Sequence, residues 1–312
     1  MPQQQMIVGI DVSSRELEIR SLHEARSWQV ANDPRGWARL VRSWTGQPVV
    51  VGVEPSGGYE QGLVRALVEA GVMVRWADPA RVRALAKALG APAKTDAIDA
   101  QMIARYVADT GGRPVKLDPD RSALREVLAA RKAALETARR LTAQARMLSP
   151  GVPRDALERL ADHADTEAQA LMRQLRLILR QTPHLASTWR LLQTAPGVGP
   201  LVAAELIAEM PELGHVSGKA IAKLAGLAPF VRQSGAWRGK ATCCGGRPRP
   251  RCALYLAGMA SLRAHHGFRP VYERLVANGK PRMVALVACM RRLLVTLNAM
   301  LASHTPWRGL AT

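Results

Sequence analysis

The segment Pro48-Val49-Val50-Val51-Gly52-Val53-Glu54 constrains the fold most strongly, because it is apolar almost throughout and ends in a carboxylate. A strand without a polar face is covered on both sides, as in parallel sheets that carry helices on both faces. Residues 6–12, Met-Ile-Val-Gly-Ile-Asp-Val, predict a second buried strand, which ends in the carboxylate of Asp11. The two segments together indicate an α/β domain at the start of the chain.

The order of the predicted elements is that of an RNase H-like domain. Alternation of apolar and polar residues over 15–20 and 27–30 indicates two more strands, each with one face in water. Three strands, a helix, a strand, a helix, a strand and a helix then follow one another. After the first three strands, the predicted elements are a helix from Asn32 to Trp44, the strand at Pro48, a helix Tyr59–Ala70, a strand Val72–Trp76, a helix Pro79–Leu89 and a helix from Asp96 to about Thr110.

Four carboxylates occupy positions where this domain can bring them together. Asp11 and Glu54 end their strands, and side chains from different strands converge at that edge of an open sheet. Asp96 and Asp99 lie three residues apart, on one face of the first helical turn. Four carboxylates at one point repel one another unless a cation is present, and oxygen ligands suit Mg²⁺ or Mn²⁺. Two such ions about 3.5–4 Å apart would activate a nucleophile at a phosphodiester.

Each carboxylate also has a simpler interpretation. Asp96 or Thr95 could cap the helix, with Asp99 as an ordinary acidic residue of its first turn. Asp11 and Glu54 could each cap the turn that follows a strand. The order Asp, Glu and Asp-x-x-Asp on the predicted elements is more specific than any one of these residues.

Residues 118–180 are rich in Ala, Leu, Arg and Glu and predict a long helical hairpin. Apolar stripes run through Leu124 to Leu141 and through Leu157 to Ile178, on either side of the break at Ser149–Pro153. The hairpin could be a coiled coil that joins protomers. Two helices packed on their own chain are the alternative.

The charge of the chain indicates a nucleic-acid partner. Lys and Arg number 44 against 25 Asp and Glu, a net charge of +19, and residues 189–312 alone hold 17 basic and 4 acidic residues. Such an excess is typical of proteins that neutralise phosphates. An anionic membrane is the competing partner, but no basic amphipathic helix with an aromatic face is present. With no apolar run of 18 residues and no signal peptide, we expect no membrane association and a cytoplasmic protein with reduced cysteines.

The last third of the chain contains several candidate nucleic-acid contacts. Ala195-Pro196-Gly197-Val198-Gly199-Pro200 predicts a helix-hairpin-helix turn, in which Gly197 and Gly199 could present backbone N–H groups to a phosphate. A glycine-rich turn between packed helices is the alternative. Prolines alternate with three arginines and favour an extended segment that could follow a phosphate backbone. The candidate basic contacts are Lys94, Arg232, Arg238, Lys240, Arg247, Arg249 and Arg251.

Ser234 is a candidate nucleophile within this basic region. It lies beside Gly235, between Arg232 and Arg238, where it could approach and attack a phosphate. Serines in loops are more often turn formers, which is the alternative interpretation. The cysteines nearby, with His265 and His266, match no zinc-ligand spacing.

Five motifs, taken in order, resemble the DEDD transposases of the insertion-sequence one-ten family. These are bridge-RNA-guided recombinases with an N-terminal RuvC-like domain and a C-terminal serine transposase domain. The resemblance extends over nearly the whole chain and agrees with a division into residues 1–115, 116–188 and 189–312. The motifs are Gly9–Ser13, Val53–Gly57, Lys94–Ala100, Ala195–Gly199 and Gln233–Gly235.

The resemblance implies that the four carboxylates hold Mg²⁺ and that Ser234 forms a covalent phosphoserine link to DNA. It also implies a composite site between domains of different protomers, in a dimer or tetramer held by the helical hairpin. A structured guide RNA, the bridge RNA, would pair with donor and target DNA. In one departure, Thr242-Cys243-Cys244-Gly245-Gly246 stands where family members often carry a serine before the glycine, which favours Ser234 as the nucleophile.

Two other functions are compatible with parts of the sequence. A hydrolytic RuvC-like nuclease that resolves branched DNA would use the carboxylates and water without a covalent step. A nucleic-acid-binding protein with a decayed site would need neither. The basic last third with its serine argues against the first, and the presence of all five candidate residues argues against the second.

Overall fold

The computed structural model describes residues 5–22, 27–90, 96–230, 233–234, 237–238, 242–264 and 267–309, without the side chains of 96, 233–234 and 237–238. The chain forms two compact units, Met1–Leu117 and Asp118–Thr312. Each has its own hydrophobic core.

The first unit is built on a six-stranded sheet in the order β3-β2-β1-β4-β5-β6. Neighbouring strands are antiparallel from β3 to β1, parallel from β1 through β4 to β5, and antiparallel again at β6. A three-stranded meander followed by parallel strands on its far side is the RNase H-like arrangement, which confirms the predicted fold. The strands are β1 (Met6–Val12), β2 (Glu16–Ser21), β3 (Ser27–Ala31), β4 (Val49–Val53), β5 (Met73–Trp76) and β6 (Arg113–Pro114), of which β6 was not predicted.

Helices cover both faces of this sheet. Val49, Val51 and Val53 of β4 pack in one core with residues of the first two helices, and Val50 packs in a second core with the last two. This two-sided burial explains the apolar sequence of β4. The four helices are α1 (Pro34–Trp44), α2 (Gln61–Glu69), α3 (Pro79–Ala88) and α4 (Asp96–Thr110).

The second unit is mainly helical. Its long helices α5 and α6 pack along each other as the predicted hairpin, and α7 follows as a separate helix before the glycine-rich turn. The helices are α5 (Pro119–Ala145), α6 (Val152–Gln181), α7 (Pro183–Leu192), α8 (Pro200–Glu209), α9 (Gly218–Leu224), α10 (Pro248–Ser261), α11 (Arg269–Ala277) and α12 (Arg282–Ser303); the strands are β7 (Pro229–Phe230), β8 (Gln233–Ser234), β9 (Trp237–Arg238) and β10 (Thr242–Cys243).

The base of the helical hairpin belongs to the core of the second unit. Leu124 and Leu128 of α5 and Leu175 and Leu179 of α6 are buried in that core. The turn at the other end is exposed, and Met147 keeps 87% of its surface accessible. The predicted role of the hairpin in joining protomers remains a prediction.

The turn between α7 and α8 has the predicted helix, turn, helix arrangement. Gly197 has a φ of 82°. A Cβ at this position would lie 2.6 Å from the amide nitrogen of Ser261 in α10 and closer still to the carbonyl oxygen of Ala257. Close packing against α10 therefore accounts for Gly197, whereas Gly199 at the start of α8 has open space around it.

The segment of alternating arginines and prolines is helical, so the expectation of an extended chain was wrong. The helix α10 begins at Pro248, and Arg247 is its N-cap residue. Pro248 and Pro250 lie in its first turn, where the missing proline N–H groups have no helical partner to lose.

One described helix, α12, is long and apolar enough to cross a membrane by length and composition alone. Half of its most apolar 18-residue stretch is buried within the protein. Its buried side chains, among them Leu293, Leu294 and Leu297, form part of the core of the second unit.

Candidate active site

Asp11 and Glu54 lie on the same face of the sheet at the carboxyl ends of neighbouring parallel strands. Gly9 of β1 and Gly52 of β4 are partners in the β1–β4 register. Side chains alternate between faces along a strand, so Asp11 and Glu54, each two residues further on, share the face of these glycines. Both carboxylates are half-buried.

The helix α4 covers this face and brings Asp99 to the same edge. A Cβ on Gly9 would lie 2.5 Å from the amide nitrogen of Ala104, and one on Gly52 would lie 3.0 Å from Cγ2 of Ile103. The two glycines thus let α4 lie directly against the backbone of β1 and β4. This close approach orients the first turn of α4 toward the strand ends.

The electrostatics of Glu54 show that three of the predicted carboxylates interact. The pKa of Glu54 is raised to about 7, chiefly by burial and then by the negative charges of Asp11 and Asp99. Arg83 of α3 acts in the opposite direction and lowers the pKa. The site is therefore an acidic cluster in which Glu54 changes its charge near neutral pH.

The chemistry of this cluster fits a hard divalent cation. Its donors are carboxylate oxygens, which Mg²⁺ and Mn²⁺ prefer, and a cation would offset the repulsion that raises the pKa of Glu54. Among the side chains that the structure describes, no three acids, histidines or cysteines are close enough to form a complete ligand set. Asp96 opens α4, but its side chain lies outside the described residues.

Asn32 ties together the loops that follow β1 and β4, which sequence reasoning missed. Its side-chain Nδ2 donates to the carbonyl oxygens of Ser13, at 2.8 Å, and of Tyr59, at 3.1 Å. Its Oδ1 accepts a hydrogen bond from Nε1 of Trp37 at 2.8 Å. The Asn-Asp-Pro sequence indicated only a helix start, because these contacts depend on tertiary structure.

Glu60 holds the loop that follows Glu54. Its Oε2 accepts hydrogen bonds from the amide and the hydroxyl of Ser56, at 3.0 and 2.9 Å, and from the amide of Gly58, at 3.0 Å. The side chain is buried. Because a buried carboxylate with three donors fixes a loop firmly, Glu60 positions the chain immediately beyond Glu54.

Ser234 lies on a hairpin of the second unit. Its strand β8 pairs with β9, so that Ser234 is opposite Trp237. The pair of β7 and β10 has the same length and lies nearer in sequence to α9 and α10, with Phe230 opposite Thr242. The structure gives the backbone of Ser234 and Arg238 without their side chains, and Lys94, Arg232 and Lys240 lie outside the described residues.

The base of this hairpin is anchored by backbone contacts between glycines. A Cβ on Gly246 would lie 2.5 Å from Cα of Gly226, and one on Gly226 would collide with the carbonyl oxygen of Gly245. The amide of Arg247 donates to the carbonyl oxygen of Leu224 at 2.7 Å. The Cys-Cys-Gly-Gly loop thus fastens the hairpin to the end of α9.

The three arginines around the start of α10 already have partners within the protein. Arg247 makes two hydrogen bonds to the carboxylate of Glu212, at 2.7 and 2.6 Å. Arg249 pairs with Glu209 at 2.9 Å, and Arg251 donates to the carbonyl oxygen of Gly245 at 2.7 Å. Their predicted contact with nucleic acid remains a prediction, and Arg247, with 24% of its side chain exposed, is less accessible than Arg249, with 43%.

Two family models match the chain. A transposase model of the DEDD IS110 type matches residues 8–148, and a model described as the transposase IS116/IS110/IS902 family matches residues 189–273. The first contains Asp11, Glu54 and Asp99, and the second contains Ser234. Together the two matches cover well over half of the chain.

Similar proteins include two gene-inverting proteins and an insertion-element protein. The pilin gene-inverting proteins of Moraxella lacunata and Moraxella bovis are each 26% identical over 96% of this chain and 97% of their own length. A 42 kDa protein of the insertion element IS900 from Mycobacterium paratuberculosis is 31% identical over 39% of this chain and 31% of its own. Among solved structures, T. thermophilus RuvC in complex with a Holliday junction substrate covers 36% of this chain and 100% of its own, with 20% identity and a TM-score of 0.28.

The RNase H-like unit, its acidic edge and these matches define an enzyme of DNA transposition and recombination. The chain belongs to the IS116/IS110/IS902 family of insertion-sequence transposases.

Proposed function

We propose that this transposase cuts and rejoins DNA by Mg²⁺-dependent transesterification, with Ser234 as the nucleophile and an RNA from the element as the guide. The observation that carries the proposal is the convergence of Asp11, Glu54 and Asp99 where α4 lies against the carboxyl ends of β1 and β4, and the raised pKa of Glu54 supports it. Strongly perturbed carboxylates that converge at one edge of a sheet are typical of catalytic sites.

Asp11, Glu54, Asp96 and Asp99 would hold the Mg²⁺ or Mn²⁺. When bound, the cation supplies positive charge for the developing negative charge of a phosphodiester under attack. Asn32 and Glu60 fix the loops beside the first two carboxylates. Before the cation binds, Glu54 can hold a proton near neutral pH, because its pKa is about 7, and binding of the cation would favour the ionised carboxylate.

In the proposed covalent step, the hydroxyl oxygen of Ser234 attacks the phosphorus of a DNA phosphodiester. The bond from phosphorus to one deoxyribose oxygen breaks, the serine loses its proton, and the leaving oxygen gains one. A second deoxyribose hydroxyl then loses its proton and attacks the phosphorus of the phosphoserine; the bond from phosphorus to the serine oxygen breaks, the serine regains a proton, and the strand is rejoined without hydrolysis. Arg232, Arg238 and Lys240 would hold the phosphate near the serine.

The partners in this proposal are donor DNA, target DNA, a structured guide RNA and further copies of the chain. The net charge of residues 189–312 supports a nucleic-acid partner, and the similarity to the pilin gene-inverting proteins supports strand exchange. The site would combine carboxylates and serine from different protomers of a dimer or tetramer. Residues 1–115, 116–188 and 189–312 would act as a RuvC-like domain, a helical hairpin and a serine domain in a bacterial cytoplasm.

The test is to incubate purified protein with element-derived RNA, donor and target DNA, and Mg²⁺, and to look for a covalent protein–DNA adduct. We expect the adduct in the wild type and in Ser303→Ala, which changes an exposed serine of α12. It should be absent in Ser234→Ala and in Asp11→Ala. Free cleaved ends without an adduct would instead identify a hydrolytic nuclease.

A further inference from the structure

A cavity of about 640 Å³ lies in the second unit, between α7, the segment that follows α8, and the end of α12. Its volume is within the range of small-molecule binding sites. Its accessible apolar side chains are Leu191 and Leu301, which are partly exposed, while Ile207, Met210 and Leu213 line it as buried residues.

Four nitrogen-bearing side chains line the rest of this cavity. They are Arg121, His184, His215 and His304, which come from α5, α7, the segment after α8 and the end of α12. Asp120 lies 4.0 Å from Nε2 of His184 and Asp118 pairs with Arg121, which leaves His215 and His304 as the imidazoles without a described ion pair. An apolar wall combined with imidazole groups suits a ligand that has a flat ring with a hydrogen-bonding edge.

His304 has an unusual backbone conformation. Its φ of 52° makes it the single non-glycine residue with a positive φ in the described ranges, and it caps the C-terminus of α12. Glycine or asparagine usually occupies this position of a helix cap. A histidine held in the left-handed region points to a role for the imidazole, because glycine would satisfy the backbone better.

The wall opposite α7 is fixed before any ligand arrives. Oδ1 of Asn298 accepts from the amide of Gly214 at 2.9 Å, and its Nδ2 donates to the carbonyl oxygen of Val216 at 2.8 Å. These two bonds bracket His215. On the other side, Arg121 pairs with Asp118 at 2.8 Å and donates to the carbonyl oxygen of Ile207. The cavity therefore requires little reorganisation to bind.

We infer that this cavity binds one unpaired nucleotide of a single-stranded nucleic acid. The base packs on the apolar side of the cavity, and the imidazoles of His215 and His304 stack on it or hydrogen-bond to its edge, while Arg121 stays paired with Asp118. A purely apolar ligand would leave the two imidazoles unused, and a free phosphate would leave the apolar wall unused. The inference rests on the nucleic-acid partner of the proposed function, but not on the carboxylates or Ser234.

Binding of labelled single-stranded oligonucleotides to the full chain tests this inference. The probes are DNA and RNA of about 12 nucleotides, a length within the range of single-strand sites, measured by fluorescence anisotropy at about 0.2 M salt to weaken general phosphate contacts. We expect the double variant His215→Ala with His304→Gly to bind at least one probe about five- to fiftyfold more weakly, as loss of base stacking predicts. The probe with the larger loss identifies the kind of strand.

Two controls separate a lost contact from a damaged fold. His163→Ala changes an exposed histidine of α6 and should bind both probes as the wild type does. His304→Gly alone should melt no lower than the wild type while it binds more weakly, since glycine relieves the positive φ. If the double variant binds both probes within twofold of the wild type, or if His163→Ala loses as much, the inference is wrong.

The covalent-adduct assay keeps this result distinct from the proposed function. Asp11→Ala should retain oligonucleotide binding although it makes no adduct. An adduct in the wild type together with unchanged binding by the cavity variants would overturn the nucleotide site alone. Weaker binding by the cavity variants without any adduct in the wild type would leave the nucleotide site standing and overturn the serine mechanism.

Discussion

Gly9 and Gly52 are opposite each other on β1 and β4, and α4 lies against both of them. The same three elements carry Asp11, Glu54 and Asp99. The position of the acidic cluster is therefore set by how closely a helix can approach two strands.

Substituting either glycine should displace α4. In Gly9→Ala, the new Cβ would meet backbone atoms of Ala100 and Ala104, which cannot move aside as a flexible side chain could. We expect a loss of about 1–3 kcal/mol in the free energy of unfolding, typical of an overpacked core, with a loss of cleavage activity. Urea denaturation measures the first. Gly199→Ala, where nothing lies within 4 Å of the new atom, is the control and should change stability little.

The raised pKa of Glu54 predicts a pH-dependent stability. The folded protein holds this proton up to a pH of about 7, whereas the ordinary value is 4.5. The stability from the protonated form is complete below about pH 4.5 and is lost as the pH rises through about 7. In EDTA, the melting temperature of the wild type relative to Glu54→Gln should therefore fall over this range.

At pH 8, Mg²⁺ should raise the melting temperature of the wild type more than that of Glu54→Gln, because a cation stabilises the ionised cluster of the wild type more than that of the amide variant. The exposed Glu69 gives a matched control, and Glu69→Gln should show neither effect. A wild type and Glu54→Gln that melt in parallel at every pH would contradict the interaction of Glu54 with its acidic neighbours.

Asn32 should affect how much Mg²⁺ DNA cleavage requires, although it is not part of the acidic cluster. Asn32→Ala removes the two hydrogen bonds that join the loops after β1 and β4, each worth about 1 kcal/mol. We expect a modest loss of stability, together with a higher Mg²⁺ concentration for half-maximal cleavage. Trp37→Phe, which loses the hydrogen bond to Asn32 and part of the ring that packs against Gly62 but keeps both loop contacts, should raise the Mg²⁺ requirement less. Asn278→Ala, at an exposed helix end, should leave the Mg²⁺ requirement unchanged.

Arg247 should act as a structural anchor more than as a contact to DNA. Its two hydrogen bonds to Glu212 join two side chains that are each less than a quarter exposed. Arg247→Ala should lower the free energy of unfolding by about 2 kcal/mol, as expected for bonds between charged groups. The more exposed Arg249→Ala should cost less. If the Arg247 variant keeps its stability but its DNA binding depends less steeply on salt, the arginine contacts phosphate instead.

Local sequence patterns predicted most of the first unit. The apolar and alternating segments gave the strands, and the Asp-x-x-Asp turn gave the start of α4, because these signals lie within one element. Glycine within a buried strand also indicates close backbone approach, but the contact of α4 with Gly9 and Gly52 was not predicted from it.

Other features depend on residues far apart in the chain. Arg247 and Arg249 find their acidic partners 35 to 40 residues earlier, and Asn32 reaches Tyr59 across 27 residues. The segment at Pro248 was predicted to be extended because proline disfavours the interior of a helix. Its position in the first turn, where proline is well tolerated, decides the outcome.

The contact between Gly226 and Gly246 separates the serine hairpin into a fixed base and an outer end. Neither glycine can gain a side chain without collision, so the base admits almost no variation. Phe230 and Thr242, which are paired in β7 and β10, follow and precede these glycines along the chain. We therefore expect the base of the hairpin to tolerate little change, whereas the segment between Phe230 and Thr242 could be exchanged for that of a related transposase without redesign of α9 and α10.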